Sequence, residues 1–294
     1  MTGLLPVCAG QANHPIAVIP FDLAEGDILL KARLNAGGRE LHLLFDTGAD
    51  GMAINGSLAD SLGLTVARSQ QASVVGGVMN IDISEHNTYH FGNFALPEQN
   101  IGIFRNNALH YDGIAGISLA RHYIVQVDMD RKVMELYDSA GYTYPAGCVT
   151  LPMVLKGGTP MLHVALQAGS QAAEGDFVFD TGARYNLICF GPFVKNNRLL
   201  LSGFDPYGSS STVSMGQAST SFTGYLDHVQ VGSFRWEQVP GTLQAFRPGD
   251  EQWARMGAGS LGIQLISRWN FVLDLPHHTL CFRPNQSFNA PFVK

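Results

Sequence analysis

Apolar residues in this chain occur in short runs and alternations that are separated by turn-forming residues. Residues 41–45 (LHLLF) and 177–179 (FVF) are compact apolar runs, and apolar positions alternate with polar ones along residues 81–89. Such patterns are typical of β-strands, and the 33 glycines and 14 prolines supply the turns between them. Residues 54–63 predict one short helix, with Ser57 as a candidate N-cap. The sequence therefore predicts a mainly β protein.

The order of these patterns occurs twice along the chain. Gly76 and Gly216 each mark a predicted hairpin, and they are 140 residues apart. Two strand–turn signals, residues 90–94 (HFGNF) and 231–234 (VGSF), are related by the same offset. Repetition of several elements at a constant spacing indicates an internal duplication.

Both halves also close in the same way, with an apolar-apolar-Gly element, a short helical stretch and a strand hairpin. These segments are 113–117, 118–122, 124–128 and 132–136 in the first half, and 259–263, 267–274 and 279–282 in the second. The apolar-apolar-Gly element matches best at residues 114–116 and less fully at residues 260–262. A chain of 294 residues is long enough for two cores. We therefore predict two equivalent lobes, at residues 14–145 and 148–294.

The tetrapeptide Asp-Thr-Gly-Ala ends an apolar run in each half, at residues 46–49 and at residues 180–183. If equivalent turns of two lobes meet, Asp46 and Asp180 cannot ionise independently, because like charges at hydrogen-bond distance repel each other. One carboxylate can then take a proton from water while the protonated partner polarises a carbonyl group. The pair is a candidate acid–base site for hydrolysis without a covalent intermediate.

Composition and motifs argue against several other classes of function. The formal net charge is −6, so we expect neither nucleic acid nor an anionic membrane as a partner. No apolar run reaches the roughly 18–20 residues that a membrane-spanning helix needs. The sequence has no HExxH zinc motif, no Gly-x-Ser-x-Gly elbow and no P-loop. We therefore expect no metal ion and no cofactor.

The cysteines and the N-terminus leave the compartment open. Cys8, Cys148, Cys189 and Cys281 show no CxxC pair and no zinc-site spacing. In an oxidising compartment Cys189 and Cys281 could form a disulfide, and buried free thiols are the alternative. Residues 1–10 lack the positive charge and the apolar length of a signal peptide. The protein is cytoplasmic on this evidence, or periplasmic or secreted if a leader was removed.

The paired Asp-Thr-Gly turns, the glycine-bearing hairpins and the closing segments together resemble clan AA aspartic proteases, the group with pepsin-like and retropepsin-like enzymes. The resemblance covers about residues 15–285. Ala49 and Ala183 are similar to the retropepsin signature, since pepsin-like enzymes usually carry Ser or Thr after Asp-Thr-Gly. The resemblance implies a mainly β, bilobal acid-protease fold: two pseudo-symmetric β-barrel-like lobes with a central cleft. It also implies a monomer whose lobes form an intramolecular pseudo-dimer.

The resemblance assigns roles to the residues of the two turns. The aspartates would be catalytic, and Thr47 and Thr181 would hydrogen-bond across the lobe interface. Gly48 and Gly182 lack a Cβ atom, which permits a close approach of backbone to carboxylate. These roles make the two turns a single active site rather than two separate ones.

A substrate-binding flap is expected at Val75, Gly76, Gly77 and Val78. Such a hairpin would cover the cleft and hold an extended peptide by main-chain hydrogen bonds. An ordinary hairpin turn is the alternative for a Gly-Gly sequence. The equivalent segment of the second half, residues 214–217, is expected to be shortened or structural, so one functional flap is favoured over two.

The residues that follow each Asp-Thr-Gly affect the expected pH dependence. Ala49 and Ala183 cannot donate a hydrogen bond to a carboxylate, so the pair should titrate higher than in pepsin-like enzymes and work nearer weakly acidic or neutral pH. Asp50 and Arg184 come next and break the symmetry. They either tune the substrate subsites and the field at the pair, or are simply solvated or ion-paired.

The sequence therefore favours an aspartic endopeptidase that hydrolyses an extended polypeptide with water activated between Asp46 and Asp180. A non-catalytic peptide- or protein-binding module on the same scaffold is the alternative, because fold alone does not fix function. A protease restricted to one dedicated partner would look inactive on generic substrates.

Overall fold

The computed structural model describes residues 14–74, 77–107, 109–214, 217–247 and 256–292. These residues fold into short strands joined by turns, with a few short helices. Strands bury their apolar side chains, as in β3, where only His42 of the run Leu41–Phe45 is exposed. The alternation of apolar and polar residues in the sequence thus determines which face of each strand packs inward.

The two halves contain the same elements in the same order. The first half has β1 (Ala17–Ala24), β2 (Asp27–Leu34), β3 (Leu41–Phe45), β4 (Met52–Asn55), α1 (Gly56–Ser61), β5 (Arg68–Val74), β6 (Gly77–Phe91), β7 (Phe94–Phe104), β8 (Gly113–Ala115), α2 (Ser118–His122), β9 (Ile124–Asp128) and β10 (Val133–Tyr137). The second half has β11 (Val149–Pro152), β12 (Val154–Lys156), β13 (Thr159–Ala168), β14 (Gln171–Phe179), β15 (Leu187–Cys189), α3 (Gly191–Asn196), a 3-10 turn (Leu199–Leu201), β16 (Pro206–Ser214), β17 (Gln217–Val231), β18 (Phe234–Gln244), β19 (Gly259–Leu261), α4 (Ile263–Ile266), β20 (Trp269–Asp274) and β21 (Thr279–Pro284).

Two sheets organise these strands. One has 13 strands in the order β11-β21-β20-β9-β10-β1-β2-β3-β8-β4-β7-β6-β5, and the other has 8 in the order β12-β13-β14-β19-β15-β18-β17-β16. Strand β20 of the second half pairs antiparallel with β9 of the first, with Phe271 opposite Val127. The six neighbouring strands β11-β21-β20-β9-β10-β1 of the larger sheet therefore connect the two halves. The lobe limits at 14–145 and 148–294 stay a prediction.

Aromatic packing connects this shared part of the sheet to the second candidate aspartate. Phe179, the residue before Asp180, is fully buried, and its ring lies 5.2 Å from that of Phe271 and 5.8 Å from that of Phe282. Phe45, which precedes Asp46, is also fully buried. Both candidate aspartates therefore follow an anchored aromatic residue, which limits how far each turn can move.

Helix α1 begins differently from the prediction. Its N-cap is Asn55, and Ser57 lies inside the helix. The Ser57 N–H donates to Asn107 Oδ1 at 2.9 Å, so a side chain from a distant segment caps the helix. The Asn55 amide instead donates to the carbonyl oxygens of Leu109 and Tyr111. Among the helices of the described ranges, none has the length and apolar character to cross a membrane.

A disulfide joins Cys148 to Cys281, with the Cα atoms 5.7 Å apart. The suggested pairing of Cys189 with Cys281 is therefore wrong. Strand β11 follows Cys148 directly and pairs with β21, which brings Cys148 close to Cys281. Cys189 is a free thiol buried in the core of the second half. Cys8 lies outside the described residues.

Each half has a long hairpin at one edge of its sheet, β5–β6 in the first half and β16–β17 in the second. Strands β5 and β6 remain paired up to Val74 opposite Gly77, and β16 and β17 up to Ser214 opposite Gln217. The second hairpin is not shortened, since β16 has 9 residues and β5 has 7. Gly77 and Val78 begin β6, whereas Val75 and Gly76 lie outside the described residues.

Candidate active site

Asp46 and Asp180 occupy the same position in the two halves. Each follows a strand that runs parallel to the first strand of the closing segment, β3 beside β8 and β14 beside β19. The Asp46 N–H donates to the Ala115 carbonyl and the Asp180 N–H to the Leu261 carbonyl, both at 3.0 Å. This shared bonding directs both aspartates out of the ends of their sheets in the same way.

The two threonines hold these turns against each other. The Thr47 N–H donates to Thr181 Oγ1, and the Thr181 N–H donates to Thr47 Oγ1, both at 3.0 Å. The Thr181 hydroxyl donates to the Phe45 carbonyl at 2.7 Å, and the Thr47 hydroxyl donates to the Phe179 carbonyl. Both threonines are fully buried. The four reciprocal hydrogen bonds therefore connect the two turns without exposed donors or acceptors.

Each glycine of the turns supports both its own carboxyl and the opposite one. The Gly48 N–H donates to Asp46 Oδ1 at 2.9 Å, and the Gly182 N–H donates to Asp180 Oδ1 at 3.1 Å. A Cβ atom on Gly182 would lie 2.6 Å from both carboxyl oxygens of Asp46, and one on Gly48 would lie 2.9 Å from Asp180 Oδ1. The carboxyl of each turn thus packs on the glycine of the other.

The glycine of each apolar-apolar-Gly element allows a second close approach. A Cβ atom on Gly116 would lie 2.6 Å from the Ala49 carbonyl oxygen, and one on Gly262 would lie 2.6 Å from that of Ala183. The same carbonyls accept hydrogen bonds from Ile117 N–H at 3.1 Å and from Ile263 N–H at 2.8 Å. The closing segment of each half therefore rests directly on its Asp-Thr-Gly-Ala turn.

The environment of the two carboxyls favours a shared proton. Burial raises the pKa of both Asp46 and Asp180, because the surrounding protein replaces most of the water that would stabilise a charge. The charge of Asp46 raises the pKa of Asp180 further, and the two glycine N–H groups partly oppose these shifts. The proton therefore belongs to the pair rather than to either aspartate alone.

The hydroxyl of Ser260 was missed by the sequence reasoning. Its Oγ donates to Asp180 Oδ2 at 3.3 Å, whereas Ala49 and Ala183 have no side-chain donor. The available signal was the weaker match of residues 260–262 to the apolar-apolar-Gly pattern, because a serine stands where an apolar residue is expected. A departure from a repeated motif next to a candidate site can therefore identify a residue with a chemical role.

Asp50 and Arg184 are both ion-paired, but in different ways. Asp50 pairs with Arg121 within the first half. Arg184 reaches from the second half to the first: its Nη2 lies 2.6 Å from Asp27 Oδ2 and donates to the Tyr111 hydroxyl at 2.8 Å. The Asp27 side chain is only 2% exposed. This contact between the halves, which the sequence did not reveal, pairs the buried Asp27 carboxylate with the partly exposed Arg184 guanidinium.

Within the described ranges, no group of three or more His, Cys, Asp or Glu side chains is placed to hold a metal ion. Polar contacts at the two turns instead join carboxyls, hydroxyls and backbone amides. This arrangement can hold one proton between two carboxyls and position a water molecule beside them.

Comparisons with known proteins agree with this geometry. The model of the family described as aspartyl protease matches residues 30–119, which contain the first Asp-Thr-Gly-Ala turn but not the second. The chain is similar to the crystal structure of aspartic proteinase from Irpex lacteus, with a TM-score of 0.55, 12% sequence identity, and coverage of 93% of this chain and 98% of that chain. No curated protein matches the chain. The predicted mainly β, bilobal acid-protease fold is confirmed.

Proposed function

We propose that this chain is a clan AA aspartic protease, an endopeptidase acting through Asp46 and Asp180; the family match of residues 30–119 and the bilobal fold support this proposal. The observation that carries the proposal is the reciprocal hydrogen bonding of Thr47 and Thr181, which brings two half-buried carboxyls against each other's turn. A binding module would not need two intact carboxyls whose pKa values are both raised.

The reaction begins with Asp46 ionised and Asp180 protonated. Asp46 takes a proton from a water molecule as the water oxygen attacks the peptide carbonyl carbon, and Asp180 gives its proton to the carbonyl oxygen. The tetrahedral diol then collapses: Asp46 gives its proton to the amide nitrogen as the C–N bond breaks, and Asp180 recovers a proton from a diol hydroxyl. The pair ends in its starting protonation state, with no covalent enzyme intermediate.

The substrate would be an extended polypeptide. The hairpins β5–β6 and β16–β17 are of comparable length and occupy equivalent positions in the two halves. Two such hairpins could each add main-chain hydrogen bonds to a bound strand, which favours an extended backbone over a folded one. The retained symmetry supports two functional flaps, rather than the single flap that the sequence favoured.

The test compares wild-type protein with Asp46→Asn and Asp180→Asn on denatured protein substrates between about pH 3 and pH 8. Wild type should cleave, a statine-type inhibitor should block cleavage, and each variant should lose nearly all activity. Asp60→Asn is the matched control, since it changes an exposed carboxylate on α1 and should leave cleavage intact.

Cleavage that survives in both dyad variants would contradict the proposal. If wild type cleaves nothing and binds peptides tightly, the protein is a binding module. If wild type cleaves only one partner, and that cleavage depends on Asp46, the mechanism stands and the substrate range is narrower.

A further inference from the structure

The two halves differ at the position of Ser260, which hydrogen-bonds to the candidate dyad. Ser260 lies in β19 opposite Val178 of β14, and Ile114 lies in β8 opposite Leu44 of β3, so the two residues are equivalent in register. Ser260 is almost completely buried and Ile114 is half-buried. The second half therefore places a hydroxyl beside Asp180 where the first half has a hydrocarbon side chain at the equivalent position.

The hydroxyl completes the hydrogen bonding of Asp180. Asp180 Oδ1 accepts from the Gly182 N–H at 3.1 Å, and Asp180 Oδ2 accepts from Ser260 Oγ at 3.3 Å. Asp46 Oδ1 accepts from the Gly48 N–H, and Asp46 also has hydrogen bonds with the Ala49 N–H and the Asp180 carboxyl, but among the described residues no serine, threonine or tyrosine hydroxyl donates to it. The Ser260 hydroxyl therefore gives Asp180 a side-chain donor that Asp46 lacks, and this donor restricts the orientation of the Asp180 carboxyl.

Tyr185 adds a further group behind Ser260. It follows the second Asp-Thr-Gly-Ala turn by two positions, and the Ser260 hydroxyl lies close enough to lower the pKa of its phenol. Burial raises the pKa of the Tyr185 phenol, and the charges of Asp180 and Asp46 raise it too. Tyr185 therefore keeps its proton and can donate to Ser260 while Ser260 donates to Asp180.

We infer that Ser260 is a positioning residue for Asp180 alone: from strand β19 it orients that carboxyl and stabilises its ionised form, in place of the hydroxyl that Ala183 lacks. The inference rests on the proposed function, in which Asp180 becomes ionised when it protonates the substrate carbonyl. Hydrogen bonds to ionised groups are roughly twice as strong as neutral ones, so the contact strengthens as the reaction proceeds. Ser260 thus makes the two aspartates inequivalent.

Among the described residues, three titratable groups act on Asp180 or on its partner. Asp46 is its partner in the dyad, Tyr185 acts through Ser260, and Asp27 acts on Asp46 through its charge. Removal of the Ser260 hydroxyl leaves these groups in place. The ionised state of Asp180 should then become less stable, and the upper apparent pKa of the dyad should rise.

The first measurement needs no catalysis. Carboxyl ¹³C NMR titrations of protein labelled at aspartate would follow the dyad in wild type, Ser260→Ala and Ser260→Thr, with Asp46→Asn and Asp180→Asn to assign the signals. Ser260→Ala should raise the upper apparent pKa by about 0.5–1 unit, and Ser260→Thr should restore it. Tyr185→Phe should raise it by a smaller amount, which provides a second variant if Ser260→Ala folds poorly.

Ser202→Ala is the matched control, because Ser202 is also buried in the second half and donates to the Leu199 carbonyl away from the dyad. It should leave the dyad titration unchanged. An unchanged titration in Ser260→Ala and Tyr185→Phe, or an equal shift in Ser202→Ala, would overturn the inference.

The second measurement is the pH dependence of kcat and kcat/KM on a peptide substrate. Ser260→Ala should lower kcat about tenfold, leave KM within about twofold, and move the alkaline limb to higher pH. A uniform loss at every pH, with no movement of the limb, would mark a merely structural role and contradict the inference. If wild type shows no cleavage, the proposed function fails, whereas the NMR titration still decides the role of Ser260.

Discussion

At the scale of single residues, the glycine positions of the two turns constrain the sequence most strongly. Both lack a Cβ atom where the opposite carboxyl needs the space, but the clearances differ. At Gly182 a Cβ atom would lie 2.6 Å from both oxygens of Asp46, and at Gly48 it would lie 2.9 Å from the nearest oxygen of Asp180. The turns are therefore equivalent in sequence and slightly unequal in geometry.

Gly182→Ala should consequently displace the Asp46 carboxyl and reduce kcat at least about 100-fold, because a shift of roughly 1 Å at reacting groups has an effect of that size. Gly48→Ala should have a smaller effect. Steady-state kinetics with a peptide substrate measures both, and circular dichroism checks that the variants fold. Equal activity of wild type and Gly182→Ala would show that Asp46 does not need its observed position.

The residues of the candidate site differ in how far away in the sequence their contact partners lie. Asp46, Thr47 and Gly48 could be assigned from sequence because one short motif contains them and the motif is repeated. Asp27 could not, since its partner Arg184 lies 157 residues away in the other half. Ser260 is intermediate: its distance from Asp180 is invisible in the sequence, but its departure from the repeated pattern is visible.

At the scale of elements, the positions of the two hairpins were predicted better than the start of helix α1. The 140-residue offset of the two hairpins reappears in their pairing, where Val74 faces Gly77 and Ser214 faces Gln217. The start of α1 was misplaced because its first turn is capped by Asn107, which the chain brings in from a later segment. Local propensity cannot identify a cap of this kind.

The equivalence of the hairpins predicts equivalent roles in substrate binding. Replacing residues 72–79 by Asn-Gly would join Gln71 to Asn80, which face each other in the sheet, and replacing residues 212–219 would join Ser211 to Thr220 in the same way. Each replacement should raise KM about tenfold, because it removes one or two main-chain hydrogen bonds to the substrate. Steady-state kinetics on one peptide substrate measures both, with each variant as the other's control. An effect from the first replacement alone would restore the single-flap prediction.

At the scale of the whole molecule, the sheet neighbours β11-β21-β20-β9-β10-β1 matter because they fix the two halves relative to each other. Strand β20 pairs with β9 across the boundary between the halves, and Phe271 of β20 packs on Phe179 beside the dyad. Both carboxyls therefore approach each other within a single chain, as the pseudo-dimer prediction requires. The threonine contacts at the cleft and the sheet beneath it connect the halves at two separate places.

The disulfide closes the chain at the edge of this same sheet, so it should stabilise the molecule without affecting the chemistry. Cys148 and Cys281 are 133 residues apart, and a cross-link over so long a segment typically contributes about 2–5 kcal/mol by restricting the unfolded chain. Replacing both cysteines by alanine should lower the free energy of unfolding in urea by that amount and leave the pH profile of cleavage unchanged. Cys189→Ala is the control for loss of a buried sulfur. The difference in stability between this variant and wild type should be the same with and without reducing agent, whereas the stability of wild type itself should fall when the disulfide is reduced. A double variant as stable as oxidised wild type would show that strand pairing between β11 and β21 is sufficient without the covalent bond.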